Sequence, residues 1–133
     1  MWLLKTEPGS YGYDDLERDG RTVWDGVTNP VALKNLRAMQ EGDEVLVYHT
    51  GDEKAVVGKA RVVAAARPDP KAGDPRRVVV DIEAAGRLER PVPLAELKAH
   101  PEFAESPLVR QGRLSVVPLT RPQWRAIVGA KAP

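Results

Sequence analysis

Three short clusters in this 133-residue chain bring together side chains able to stack on or hydrogen-bond a planar ligand. Lys5-Thr6-Glu7 closes an apolar run, Trp24-Asp25 with Asn29 follows a glycine-marked turn, and Tyr48-His49-Thr50 closes a second apolar run. A tryptophan in an irregular segment is either a core anchor or a flat wall on which a ring can stack. At Trp24, Asp25 and Asn29 would then address the edge of that ring. Trp2 and Trp124 sit in regular apolar patterns and read as scaffold.

Catalytic chemistry finds little support. There are two histidines, His49 and His100, and His100 stands before Pro101 in a polar connection expected at the surface. Ser10, Ser106 and Ser115 lack a G-x-S-x-G context. No H-x-x-x-H or H-E-x-x-H spacing suggests a metal, and no G-x-G-x-x-G or P-loop suggests a nucleotide cofactor. With no cysteine, disulfides, thiolate zinc sites and cysteine nucleophiles are excluded. The expectation is therefore a non-enzyme with neither cofactor nor metal.

The elements that must position these clusters follow from the pattern. Trp2 to Lys5 reads as a strand ended by a Glu7-Pro8-Gly9 turn, and Tyr13 to Arg18 as a short helix with an acidic start. Thr22 to Val27 reads as irregular. Asn29-Pro30 is a strong helix start, with Ala32, Leu36 and Met39 on one face and an end near Glu41-Gly42. Strands follow at Glu44–His49, Ala55 to about Ala66 and Arg77 to Ala85, the last two separated by a proline-rich loop. A short helix at 93–98, a strand at 114–117 and a helix opened by the Thr120-Arg121-Pro122-Gln123 capping box complete the chain. Strands at hairpin spacing with helices at the margins indicate an α+β fold, a small mixed β-barrel in one domain spanning residues 1–133.

Composition narrows the partner. The net charge of +1 is too small for a protein that holds nucleic acid by bulk electrostatics. The charge is unevenly spread, however. Residues 107–133 carry Arg110, Arg113, Arg121, Arg125 and Lys131 with no acid, a local +5 against −4 for the rest. No apolar run approaches the roughly 18–20 residues of a membrane span, and no secretory signal opens the chain, so a cytoplasmic protein without a membrane partner is the default expectation.

Longer motifs carry a resemblance. Trp2-Leu-Leu-Lys-Thr-Glu-Pro8 resembles the opening of EVE domains, and Val23-Trp-Asp-Gly-Val-Thr-Asn-Pro-Val-Ala-Leu-Lys-Asn-Leu-Arg-Ala-Met39 is similar to their central block. Val47-Tyr-His-Thr50, Pro93-Leu-Ala-Glu-Leu-Lys98 and Leu108-Val-Arg-Gln-Gly-Arg-Leu-Ser115 continue the match in order over essentially the whole chain. The resemblance implies a PUA-like fold, a small twisted mixed β-barrel with peripheral helices, related to YTH and ASCH domains. It further implies a non-catalytic reader of a modified nucleobase in nucleic acid, a modified cytosine in DNA foremost. Carried over residue by residue, Trp24 becomes the stacking wall and Lys5, Thr6, Glu7 and Asp25 line the base edge. Asn29, Asn35, Tyr48, His49 and Leu114 complete the pocket, with Arg110, Arg113 and Arg77 on phosphates.

Where many relatives have a longer loop bearing an aromatic residue, this chain has Lys71 to Arg77, so that the cage is either open on one side or closed by Arg77 or Leu114. Extruding one base costs a few kcal/mol, and stacking on an aromatic plane returns roughly 1–3 kcal/mol. A handful of phosphate contacts then suffices, which a +5 segment can supply. The alternative left open is a PUA-like enzyme or small-molecule binder acting on a free nucleoside-like ligand through Lys5, Glu7 or His49. With the chain ending at Pro133, a reader of this size is expected to act through an effector protein or by shielding the base.

Overall fold

The computed structural model describes residues 1–130; Lys131, counted above in the basic segment, lies outside them. Six strands, β1 (Trp2–Thr6), β2 (Arg21–Trp24), β3 (Glu44–His49), β4 (Ala55–Pro68), β5 (Val78–Pro93) and β6 (Val116–Pro118), form one sheet in the order β2-β5-β4-β3-β1-β6. The fold is α+β and PUA-like, but β2 and β6 are not hydrogen-bonded to one another, so the expected barrel is an open, bent sheet. All pairings are antiparallel except β1 with β3, which sets Lys5 beside Tyr48 and Thr6 beside His49.

The bend comes from β4 and β5. Their register slips at four places along β4, between Val56 and Gly58, Lys59 and Ala60, Val62 and Ala64, and Ala64 and Arg67. Each slip adds twist and turns the ribbon. For this reason β5 runs on to Pro93, past the end at Ala85 that the sequence suggests: Gly86, at φ +109°, absorbs a slip without ending the strand. β2 likewise replaces the expected irregular stretch, because Thr22 and Trp24 alternate with exposed neighbours and find an edge in β5.

Helices cover the sheet: α1 (Pro8–Tyr11), α2 (Tyr13–Asp19), α3 (Pro30–Ala38), α4 (Leu94–Lys98), α5 (Pro107–Arg110) and α6 (Arg121–Val128), with a 3₁₀ turn at Pro101–Phe103. Asn29 caps α3, its Oδ1 accepting from Val31 N–H at 2.9 Å and Ala32 N–H at 3.0 Å. The helix stops at Ala38, short of Glu41, because Asp43 Oδ2 accepts from Gln40 N–H and from the indole of Trp2, both at 2.9 Å. Trp2 is thus scaffold, as expected. In α6, Thr120 and Gln123 form the reciprocal capping box read from the sequence.

One close approach fixes how α2 sits on the sheet. The buried Tyr13 ring lies directly over Gly58, where an added Cβ would stand 2.5 Å from the ring. Its hydroxyl donates to Lys59 C=O at 2.6 Å and accepts from Gly86 N–H at 3.1 Å, spanning the β4–β5 slip. Gly58→Ala is expected to lower unfolding free energy by about 1–3 kcal/mol through overpacking. Urea denaturation measures it, and a change below about 0.5 kcal/mol would contradict this packing.

Candidate functional site

A cavity of about 600 Å³, open to solvent, lies between the end of β1, the start of α1, and the segment from β2 to the N-terminus of α3. That volume is in the range of small-molecule and nucleobase sites. Lys5, Thr6, Glu7, Trp24, Asp25 and Asn29 all line it, so the first two sequence clusters meet although some twenty residues separate them. Arg113 and Ser115 close the rim from the opposite side of the chain.

Trp24 is buried apart from the surface it gives to this cavity, and the Tyr11 ring meets it edge-on, centroids 6.3 Å apart and planes at 87°. Tyr11 is the residue that sequence reading missed. It sits in α1, a helix of four residues where the Glu7-Pro8-Gly9 turn was expected, and Pro8 at the first helical position was the available signal. Thr6 Oγ1 donates to Tyr11 C=O at 2.6 Å, and Tyr11 Oη donates to Asp19 at 2.9 Å, so the second aromatic is held at both ends. Burial raises the Tyr11 phenol above its ordinary value, and it stays neutral.

The polar groups divide by how much of their bonding is already used. Asn29 Oδ1 is committed to the α3 cap, which leaves only its amide N–H groups to offer. Glu7 caps α1 through Gly9 N–H at 3.2 Å and takes the Thr50 hydroxyl at 3.3 Å. Lys5 Nζ donates to Gly112 C=O at 2.9 Å and lies 5.5 Å from the Tyr48 ring centroid, with burial pulling its pKa below the usual lysine value. Among the described residues, the side chains of Asp25 and Arg113 have no protein hydrogen-bond or ion-pair partner, so both are free for a ligand.

The other expected site residues lie elsewhere. His49 is buried against α2: its Nε2 accepts from Tyr13 N–H at 3.0 Å, which leaves the proton on Nδ1 to donate to Glu53 at 2.7 Å. Asn35 donates to Val116 C=O at 2.8 Å and ties α3 to β6. Tyr48 points to a separate cavity on the far side of Lys5, and Leu114 lines a third one with Gln111 and Val31. Arg110 is held by Ala104 C=O and Glu105, outside these cavities. Arg77 shares a groove with Arg37 and Arg76 that touches the main site only through Thr28. Arg77 and Leu114 thus line other cavities, and the second aromatic of the Trp24 cavity is Tyr11. His100 is half-buried, its Nδ1 accepting from Glu102 N–H at 3.1 Å.

Among the described residues, no group of three or more His, Asp or Glu is placed to hold a metal, and no helix is long and apolar enough to cross a membrane.

The profile of the EVE domain family matches residues 1–130. The chain belongs to the EVE domain family. Human thymocyte nuclear protein 1 is 30% identical over 92% of the chain and 70% of its own length. A crystal structure of a protein from Agrobacterium tumefaciens superposes with a TM-score of 0.92 at 36% identity, covering 96% of this chain and 90% of that one. The crystal structure of human THYN1 protein in complex with 5-methylcytosine-containing DNA superposes at 0.87 with 30% identity, covering 99% and 98%.

These relatives also correct the cytoplasmic expectation. Human and mouse homologues are nuclear proteins by name, and a nuclear protein lacks a secretory signal just as a cytoplasmic one does.

Because Asn35 is a structural tie, Asn35→Ala is expected to cost about 1–2 kcal/mol of stability by stranding the Val116 carbonyl, with ligand preference unchanged. Thermal unfolding and binding measured on the same preparation check this. A lost preference at wild-type stability would return Asn35 to the site.

Proposed function

We propose that this EVE domain is a non-catalytic reader of modified cytosine in DNA, with the base flipped out of the helix into the Trp24 cavity. The observation that carries the reading is the perpendicular pair of Trp24 and Tyr11 in an open cavity of about 600 Å³. Trp24 offers a face for stacking, and Tyr11 sets the depth to which a ring can slide along it. The human relative's complex with 5-methylcytosine DNA supports the same use of the fold.

The free groups suit the edge of a cytosine. Its exocyclic amine donates, matching the unpaired Asp25 carboxylate, and its ring N3 and O2 accept, matching the Asn29 amide. Lys5 and Glu7 flank that edge, with Thr6 and Ser115 adding hydroxyls. The Arg113 guanidinium on the rim meets the phosphate beside the flipped nucleotide, and Arg77 in the groove past Thr28 meets one further along the strand. A buried methyl contributes about 0.8 kcal/mol, roughly a fourfold preference over unmodified cytosine. Pocket shape must supply any larger discrimination. A reader built this way acts by shielding the base or by recruiting an effector protein.

Trp24→Leu keeps an apolar anchor but removes the stacking plane. It is expected to weaken binding to an oligonucleotide with one 5-methylcytosine by about 1–3 kcal/mol, and to bring methylated and unmodified sequences to equal affinity. Fluorescence anisotropy with far-UV circular dichroism as the folding control measures this, and a preserved preference in the folded variant would sink the reading. Arg113→Ala is expected to weaken all oligonucleotides alike and to flatten the salt dependence by about 0.9 per lost duplex phosphate contact. Selective loss for methylated DNA would instead place Arg113 on the base. An RNA oligonucleotide and free 5-methylcytidine run beside these separate a DNA reader from a nucleoside binder.

A further inference from the structure

A second cavity of about 300 Å³ lies behind Lys5, lined by Lys5, Lys54, Lys98, Tyr48, Thr50 and Leu108 among others. Its lining holds three lysines and no carboxylate. The contrast with the arginine groove is direct: there Asp74 lies in the lining and pairs with Arg76 at 3.1 Å, while Arg37 donates to Arg76 C=O. In the lysine cavity none of the three ammonium groups forms an ion pair with an acid among the described residues. The Glu7 carboxylate sits behind this lining, 3.3 Å from the Thr50 hydroxyl and close to Gly51, and forms no ion pair with any of the three lysines among the described residues.

The backbone holds these cations in fixed places. Lys54 has φ +45°, the only non-glycine residue with positive φ among those described, a strained conformation that persists only where neighbours enforce it. Its carbonyl accepts from Leu94 N–H at 2.8 Å, binding the β3–β4 turn to the first residue of α4, whose last residue is Lys98. Lys5 reaches the same space half-buried over the Tyr48 ring. Like charges gathered round one concavity without counter-charge repel, and an anion filling it relieves that repulsion. A phosphate matches in charge and size, with three ammonium groups and the Tyr48 hydroxyl as donors.

We propose that this lysine-lined cavity is a phosphate-binding site distinct from the Trp24 cavity. Lys5 and Gly112 border both the lysine cavity and the surfaces next to the Trp24 site, Lys5 directly and Gly112 through the Arg113 loop. The occupant in reach is therefore a strand phosphodiester on the Lys5 side of the flipped nucleotide, other than the one that Arg113 meets, an assignment that rests on the base-reading proposal. The phosphate chemistry itself does not.

The test uses the double variant Lys54→Gln/Lys98→Gln, with Lys54→Gly/Lys98→Gln as a second version that carries no strain at position 54. Both spare every residue of the Trp24 cavity. For an oligonucleotide with one 5-methylcytosine, the variants are expected to lose affinity for methylated and unmodified forms equally. The slope of log K against log salt should flatten by about 0.7–0.9 for one lost phosphate contact. In parallel, inorganic phosphate is titrated at constant ionic strength while the amide resonances of Tyr48, Thr50 and Gly112 are followed by NMR. A flattened slope without saturable phosphate shifts supports a strand phosphodiester. Saturable shifts in the wild type that vanish in the variants, with the slope unchanged, support a free phosphate-bearing ligand. An unchanged slope together with absent shifts overturns the site. If wild-type protein shows no methyl preference yet either arm responds, the base-reading proposal fails and the phosphate site stands.

Discussion

The interaction on which the site depends is the buried hydrogen bond from Tyr13 N–H to His49 Nε2, 3.0 Å long. After β1 the chain must reverse within a few residues, and backbone donors buried in such a reversal need partners. His49, at the end of β3 beside Thr6, provides one, and the Glu53 carboxylate fixes its tautomer from the other side. Tyr13 is then pressed onto Gly58 and spans the β4–β5 slip with its hydroxyl. With Tyr13 and Thr6 both fixed, Tyr11 has one place to go, and that place is against Trp24. A polar contact between residues outside the Trp24 cavity thereby sets the geometry of its aromatic pair.

The same economy governs charge. Of the arginines in the basic C-terminal segment, Arg113 alone faces the main cavity; Arg110 is tied down locally, and Arg121 and Arg125 ride on α6 away from it. The other cations around the site come from the N-terminal strand, the β3–β4 turn, the end of α4 and the loop before β5: Lys5 between two cavities, Lys54 and Lys98 behind it, and Arg77 across Thr28. Near-zero net charge and local clusters of unpaired cations coexist because many of the acids are engaged in ion pairs elsewhere, as Asp14 and Glu17 are with Arg87. For the reader proposed above, such a surface would give weak, salt-sensitive attraction to any strand and leave selectivity to the base pocket.

Much of this was legible in the sequence. The helix start at Asn29-Pro30, the capping box at Thr120 and the strand at Glu44–His49 depend on local chemistry and appear where expected. Trp24, Asp25, Asn29 and the Lys5-Thr6-Glu7 cluster share one cavity as their motifs suggested. What the sequence hid was set at long range. The stop of α3 depends on Asp43 bridging to Trp2, and the extra length of β5 on slips that only pairing with β4 reveals. Tyr48-His49 resembles a ligand cluster by residue type, yet parallel pairing with β1 turns His49 toward Tyr13 and Tyr48 away from Trp24. Tyr11 went unnoticed because a four-residue helix leaves no periodicity to read.

The most direct test of the central claim is NMR on an oligonucleotide carrying one ¹³C-methyl-labelled 5-methylcytosine. A base stacked on Trp24 and edged by Tyr11 lies in the ring currents of both. The account predicts that bound methyl signals move away from their duplex position and show cross-relaxation to the Trp24 indole and Tyr11 ring protons. A complex that forms while the methyl signal keeps its duplex shift, or contacts Tyr48 instead, would contradict it.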